Sequence, residues 1–211
     1  MVSRLESAAL TRRALLDAAR ELLNEGGPQR VTLREVGARA DVSRGAPYRH
    51  FDDKESLLAA VGAESWDRIT ADLVQLRSDG SSKPAALLQA ALDALILVGR
   101  DEPEVYRMMF TMPTSNPEVA IEAAGRAQNE FLRIVGSVVG EQHAHVYGAL
   151  LLTSAHGIAS MEASGHLSPQ MWKTTPAELV SALVDLIAER VTVPGGQGAN
   201  TEQHSGQAVP E

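Results

Sequence analysis

The chain has 211 residues, of which 44% are hydrophobic and 22% charged, and it contains no cysteine. This composition can bury a core, and it excludes a disulfide-stapled scaffold and a cysteine zinc site. Polar residues interrupt the apolar stretches, and the first residues lack the apolar region of a signal peptide. We therefore expect a cytoplasmic protein with no membrane span.

The net charge of −8 is distributed unevenly along the chain. Residues 1–60 hold 10 Lys and Arg against 9 Asp and Glu, whereas residues 61–211 hold 9 against 18. Phosphate neutralisation supplies much of the affinity of a protein for nucleic acid, so the acidic second segment is unsuited to it. Any contact with DNA must be confined to the first segment.

Apolar residues recur at helical spacing almost throughout, which predicts an all-α fold of about nine helices. The first helix is predicted from about Ala8 to Glu25, because Gly26-Gly27-Pro28 ends it. A capping box at Thr32-Leu33-Arg34-Glu35 opens the second helix. After a tight turn, Ser43 is the predicted cap of a short third helix that ends near His50-Phe51.

A second capping box, Asp52-Asp53-Lys54-Glu55, opens a long fourth helix that reaches about Arg77. At roughly 1.5 Å per residue this helix extends about 37 Å, which is enough to link two bodies. Breakers separate five further helices, predicted near 83–100, 103–111, 117–139, 141–164 and 175–191. Residues 194–211 have almost nothing to bury, and we expect them to be disordered.

The first three helices have the proportions of a helix-turn-helix module, in which the third helix reads the DNA. Gly45 and Ala46 lack bulk, so backbone N–H groups there can approach DNA closely, and Ala46 can contact a thymine methyl. Arg44 is the candidate for guanine readout. The residues suited to phosphate contact are Tyr48, His50 and Lys54. Spaced positive charge comes from Arg30, Arg34, Arg39, Arg44, Arg49 and Lys54.

The stretch from Thr11 to Val61 resembles the N-terminal domain of the TetR family of bacterial transcriptional regulators. The resemblance lies in the capping box, the Val42-Ser43 turn, and Tyr48-Arg49-His50-Phe51 followed by Lys54-Glu55. It implies a homodimer on a palindromic operator in double-stranded DNA, and repression that ends when a small apolar or amphipathic effector binds the C-terminal domain. The DNA contacts that it implies are Thr32, Tyr48, His50 and Lys54 to phosphates, and Arg44, Gly45, Ala46 and Pro47 to base edges.

Pro47 departs from that family's pattern, because many members carry leucine or another apolar residue there. Proline has no N–H, and it disfavours helical geometry in the preceding residue, Ala46. We therefore expect the third helix to start late or distorted. The domains that follow from this interpretation are a DNA-binding domain at 1–55, a ligand-binding and dimerisation domain at 56–193, and a tail at 194–211.

The C-terminal region carries a fainter resemblance to the WHG-type domain of part of the family. It lies in Tyr106-Arg107-Met108-Met109-Phe110 and in residues 155–160, although Ala155 stands where that domain has its tryptophan. Thioethers beside aromatic rings suit an adaptable apolar pocket, and ordinary core packing is the alternative for each of these residues, His156 included. The candidate ligand-binding residues are Tyr106, Met109, Phe110, Tyr147 and His156.

Mostly small side chains recur at helical spacing from residue 144 to residue 163, which would let another helix approach closely. With the apolar face of the last helix, this stripe predicts a four-helix interface between two copies of the chain. The alternative is that the stripe packs inside one subunit. The candidate interface residues are Ala144, Gly148, Leu152, Ala155, Ala159, Leu179, Leu183 and Leu186.

Motifs of catalysis are not found in the sequence. It has no G-x-S-x-G elbow, no phosphate loop and no H-E-x-x-H. His143 and His145 are two residues apart, which places their side chains on different sides of a helix, so we do not expect them to share a metal. We therefore expect no enzyme activity, no cofactor and no metal. The alternative to a ligand-released repressor is a dimeric DNA-binding protein whose body serves only dimerisation or protein contacts, and a cavity would favour the repressor.

Overall fold

The computed structural model describes residues 4–80, 82–111 and 117–192. Within these ranges the regular structure is helical and contains no strand, so the predicted all-α fold is confirmed. The helices are α1 (Arg4–Gly26), α2 (Leu33–Arg39), α3 (Pro47–His50), α4 (Lys54–Ser78), α5 (Pro84–Asp101), α6 (Pro103–Met109), α7 (Pro117–Val139), α8 (Ala144–Ala163), α9 (Pro169–Trp172) and α10 (Pro176–Thr192).

The nine predicted helices correspond to α1–α8 and α10, and the sequence pattern missed the single turn of α9. It also missed two 3₁₀ turns, Pro28–Arg30 and Glu141–His143. Helix α1 begins at Arg4, before its first buried residue, Leu15. Periodicity could not predict those early turns because they bury nothing. The predicted tail lies outside the described residues.

The head consists of α1, α2, α3 and the start of α4, which share one core. Leu15, Leu23, Val31, Val36 and Leu57 are fully buried there. The core residues of α1 recur at helical spacing, so a single stripe of that helix faces α2 and α4. The head is therefore held by apolar packing, and its polar residues are left on the outer surface.

The caps that start α2 and α4 differ in detail from the prediction. The Thr32 hydroxyl accepts the Glu35 N–H at 3.1 Å, but it also donates to the Glu35 carboxylate at 2.8 Å instead of leaving that carboxylate for a backbone N–H. At α4 the cap is Asp53 and its partner is Ser56, each accepting the other's backbone N–H. A serine three residues after the cap thus does what the prediction assigned to Glu55.

The body packs around α5, whose Leu88, Leu92 and Ile96 are buried. Helix α4 lies mainly against α7, and α5 lies mainly against α8. A Cβ atom on Gly99 of α5 would sit 3.1 Å from the Cβ of Ala159, which shows how closely α5 approaches α8. Because buried residues of α4 run from Ser56 to Leu73, this helix is shared by the head and the body.

None of the helices in the described ranges has both the length and the apolar character that a membrane crossing requires.

Candidate nucleic-acid interface and cavity

Helix α3 begins at Pro47 and not at Ser43. Ala46 precedes it in helical geometry, with φ −65° and ψ −47°, so the expected bias of Ala46 away from that geometry is wrong. The Ala46 N–H donates to the Ser43 carbonyl at 2.8 Å, which forms a turn ahead of the helix. Proline occupies the first helical position, where its missing N–H costs no helical hydrogen bond. The expected late start is what the helix shows.

Two residues predicted to face base edges are buried. Ala46 is 2% exposed, and Pro47 is buried against α2. A Cβ atom on Gly37 of α2 would lie only 2.7 Å from the Pro47 Cγ atom, so glycine permits the two helices to meet there. The side chains of Ala46 and Pro47 therefore position α3 and are not available to DNA.

The exposed residues of this region form a groove between α2 and the turn before α3. The groove encloses about 470 Å³, and Arg34, Arg44 and Tyr48 lie along it. Tyr48 is 60% exposed, and Arg44, Gly45 and Thr32 are also on the surface. His50 and Lys54 are half-buried at the edge of the head. Arg34 was not among the predicted contacts, although its exposed position beside the capping box could have indicated it.

The arginines of the head differ in whether they are free to meet a phosphate. Arg39 donates to Glu25 at 2.8 Å and to Glu21 at 3.1 Å, and these hydrogen bonds raise the pKa of its guanidinium. By contrast, Arg34, Arg44 and Arg49 form no salt bridge with any residue in the described part of the chain. Of these three, Arg34 and Arg44 line the groove, so the groove carries two arginines that form no salt bridge with a described carboxylate.

The predicted ligand-binding residues do not form one site. Tyr106, Phe110 and His156 do lie together: the Tyr106 hydroxyl is 3.1 Å from His156 Nδ1, and the ring centroids of Phe110 and His156 are 4.2 Å apart. Burial raises the pKa of Tyr106. Tyr147 is elsewhere, because it precedes His156 by nine residues of α8, or about 13 Å along the helix.

An apolar cavity lies between α4, α6 and the turn after α1. Its volume is about 320 Å³, and of the five predicted ligand residues only Met109 lines it. Leu58, Gly62 and Trp66 of α4 form one wall, and Met108 and Met109 of α6 form another. Glu55, Glu104 and Arg107 add the charged groups of the lining. A glycine within the apolar face of α4 was the sequence signal for this space.

A polar network joins α1 to the body. The Arg20 guanidinium donates to Glu64 and to Glu102 at 2.8 Å, and to the Ser65 hydroxyl at 3.0 Å. Glu102 is the residue between α5 and α6. Sequence reasoning missed this network because its members are 44 to 82 residues apart, too far for any local spacing to indicate.

The small-residue stripe of α8 packs inside the protomer. Ala144, Ala155 and Ala159 are buried, and a Cβ atom on Gly148 would lie 2.5 Å from Leu132 Cδ2 of α7. These four residues are therefore unavailable to a second copy, and the alternative weighed for the stripe holds for them. Among the other predicted interface residues, Leu152, Leu179 and Leu183 are half-buried, and Leu186 is 66% exposed.

Exposed apolar side chains of the body lie on the opposite face of α8 and on α10, and others, such as Leu97 and Ile121, lie on α5 and α7. Val146 is 74% exposed, and Leu150 and Met161 of the same helix are exposed as well. Between them, a Cβ atom on Gly157 would meet nothing within 4 Å. We call Val146, Leu150, Gly157, Met161 and Leu186 the outer face.

Two models of known protein families match separate segments of the chain. Residues 15–61 match the family described as bacterial regulatory proteins, tetR family, and residues 88–187 match the family described as tetracyclin repressor-like, C-terminal domain. The HTH-type transcriptional repressor Rv3405c of Mycobacterium tuberculosis is 36% identical over 80 residues, which are 38% of this chain and 39% of that protein. The alignment thus spans about two fifths of that relative.

Solved structures extend the similarity over most of the chain. A protein of unknown function from Rhodococcus sp. RHA1 has a TM-score of 0.74 at 26% identity, covering 87% of this chain and 96% of the other. The SmeT–triclosan complex has a TM-score of 0.57 at 23% identity, covering 92% of this chain and 99% of the other, and it shares the fold.

Proposed function

Because the chain belongs to the TetR family of bacterial transcriptional regulators, which are not enzymes, we propose that it represses transcription as a DNA-binding homodimer released by a small molecule. It acts in the cytoplasm, where the operator is accessible. The observation that carries the proposal is the groove of the head. It is lined by Tyr48 and by two arginines, Arg34 and Arg44, that form no salt bridge with a described residue.

The head contacts DNA with two kinds of group. Arg44 precedes α3 on an exposed turn, and a guanidinium there can bond a guanine edge in the major groove. Tyr48, His50, Lys54 and Thr32 contact phosphates, which set position but do not read sequence. Gly45 keeps the backbone close to the bases, because it is exposed and adds no side chain. Ala46 and Pro47 hold α3 against α2 and contact no base.

Two copies associate through the outer face. Val146, Leu150, Gly157 and Met161 follow spacings of four, seven and four residues, which place them on one side of α8. Leu186 adds an exposed apolar group from α10, and Gly157 permits close approach of a helix from the second copy. A two-fold interface built this way presents two heads to successive major grooves about 34 Å apart, which matches a palindromic operator.

Ligand release follows from the position of the cavity. Helix α4 forms one wall of the cavity and also belongs to the core of the head, so a ligand that shifts α4 changes the spacing of the two heads. Tenfold weaker operator binding requires about 1.4 kcal/mol of preference for the shifted state. A related fold in complex with triclosan supports a ligand-responsive body. The cavity disfavours the alternative in which the body serves only dimerisation.

Selection of bound sequences from random duplex DNA tests the proposal. We expect a palindrome, bound with an affinity that falls steeply with salt. The Tyr48→Ala and Lys54→Ala variants should weaken all sequences about equally, whereas Arg44→Ala should change the preferred sequence. Arg126→Ala removes an exposed charge from the body and serves as the matched control. Failure to enrich any sequence at low ionic strength would overturn the proposal.

A further inference from the structure

The charge around the cavity between α4 and α6 selects among the molecules that its apolar interior could hold. Arg107 Nη1 lies 2.8 Å and 2.7 Å from the two oxygens of the Glu104 carboxylate, so these charges compensate each other. Glu55 is exposed and forms no salt bridge with any residue among those described. The cavity therefore has one uncompensated negative charge at its edge and a nearly apolar wall.

The N-terminus of α4 does not offset the negative charge of Glu55 at the edge of the cavity. A free helix N-terminus attracts anions through its N–H groups. Here the Asp53 carboxylate already accepts the Ser56 N–H at 2.7 Å, and the Ser56 hydroxyl accepts the Asp53 N–H at 3.2 Å. This end of α4 thus carries a carboxylate of its own beside Glu55. Of the charged residues at this end of α4, only Glu55 lines the cavity, so it is the charge that a ligand head group meets there.

The interior of the cavity suits a chain or ring of carbon atoms. Leu58, Gly62, Met108 and Met109 supply apolar and adaptable surface, and the indole of Trp66 completes it. A volume of about 320 Å³ is at the lower end of the range for small-molecule sites. Such a space can take the apolar part of a ligand while its charged group remains at the edge, near Glu55.

We propose that the effector site is this cavity and that its ligand is an amphipathic organic cation, held by its apolar part between α4 and α6 and by its charge beside Glu55. The effect on DNA rests on the proposed function, because the ligand acts by displacing α4 or α6. Binding itself does not rest on it, since the cavity exists within one protomer. Amphipathic carboxylates of the same size should bind more weakly, because their charge has the same sign as that of Glu55.

The chain provides its own reporter for this site. It has two tryptophans, of which Trp66 lines the cavity and Trp172 is exposed on α9. In a Trp172→Phe background, emission from Trp66 reports occupation of the cavity. Decyltrimethylammonium and decanoate, each below its micellar concentration, and 1-decanol, below its solubility limit, present similar carbon chains with a positive, a negative and a neutral head.

We expect decyltrimethylammonium to bind more tightly than decanol, and decanol more tightly than decanoate. Glu55→Gln should weaken the cation about fivefold, as for a partly exposed ion pair, and leave decanol unchanged. Asp72→Asn is the matched control, because it removes an exposed carboxylate from α4 about 25 Å along the helix from Glu55. It should leave the affinity for all three probes unchanged.

Filling the cavity provides the second arm of the experiment. Gly62→Leu projects a side chain towards Met108 and should abolish the Trp66 response to all three probes. If that variant does not fold, as judged by its circular dichroism, Ala120→Leu fills the cavity from α7. Decanoate binding as tightly as the cation, an unchanged cation affinity in Glu55→Gln, or undiminished binding in a folded, filled variant would each overturn the inference.

The outcome can be separated from that of the proposed function. A protein that binds no duplex DNA but shows the expected Trp66 titration would refute the repressor and retain the cation site. A protein that binds its operator but shows no preference for the cation would retain the repressor and refute the cation site. Cation binding that leaves operator affinity unchanged at saturation would refute the release step.

Discussion

We expect Arg20 to contribute substantially to the free energy of unfolding, because it links α1 to both α4 and the α5–α6 junction. No local sequence pattern indicates this contribution. Its side chain is only 11% exposed, and its two carboxylate partners are both at 2.8 Å. Arg20→Met keeps most of the apolar stem and removes the guanidinium. The variant leaves Glu64 and Glu102 in a partly buried site without their principal partner.

The magnitude lies between two limits. Breaking a fully buried ion pair costs about 3–5 kcal/mol, and breaking an exposed pair costs about 0–1 kcal/mol. Glu64 and Glu102 are each about a quarter exposed, so water can partly replace the lost donor. We therefore expect the free energy of unfolding to fall by about 2 kcal/mol, which lowers the Tm by about 4–8 °C for a chain of this size.

Urea unfolding at fixed protein concentration measures the change, with Arg13→Met as the matched control. Arg13 is largely exposed and lies 3.7 Å from Glu64, so its loss should cost less than about 0.5 kcal/mol. A double-mutant cycle with Glu102→Gln should show a coupling of at least about 0.5 kcal/mol between Arg20 and Glu102. Equal destabilisation by Arg20→Met and Arg13→Met would refute the reasoning.

Three further changes test the head and the dimer. Gly37→Ala brings a Cβ within 2.7 Å of Pro47, so it should displace α3. We expect operator affinity, measured by fluorescence anisotropy, to fall at least tenfold. Unchanged affinity would show that α2 and α3 can separate without consequence for DNA binding. Thr32→Ala removes the cap of α2 and should lower the free energy of unfolding by about 1 kcal/mol in urea, and a neutral result would assign the cap no role in stability. Leu186→Glu places a charge on the outer face and should shift a dimer towards monomer in sedimentation equilibrium. Ser181→Glu, at an exposed position of the same helix, is the control and should leave the dimer intact. A dimer that persists in Leu186→Glu would exclude Leu186 from the interface.

Local chemistry explains why much of the architecture could be predicted from residues alone. Apolar spacing identified the helices that bury a stripe, and glycine and proline placed most of the boundaries. The same reasoning failed where a helix turn buries nothing, as at Arg4, or where a fragment is a single turn, as in α9. In α8, apolar and small residues surround the helix, so its sequence did not indicate which side faces the core.

The predicted functional residues also differ in whether local sequence or packing between helices sets their exposure. Residues whose exposure follows from a turn or a cap, such as Arg44 and Tyr48, are on the surface of the head. Ala46 and Pro47 were misjudged because their burial depends on Gly37, which belongs to another helix. Of the predicted ligand residues only Met109 lines the cavity, since the cavity arises from how α6 lies across α4 and not from clustering of aromatic residues in sequence.

The order of residues was thus enough to establish a helical regulator whose head is near neutral and whose body is acidic, because caps, breakers and periodicity act over a few residues. Three features could be identified only from the tertiary structure. They are the outer face, the Arg20 network, and the cavity whose edge carries Glu55. Each depends on contacts between helices distant in sequence, and such contacts are determined by how side chains of complementary volume and charge pack together.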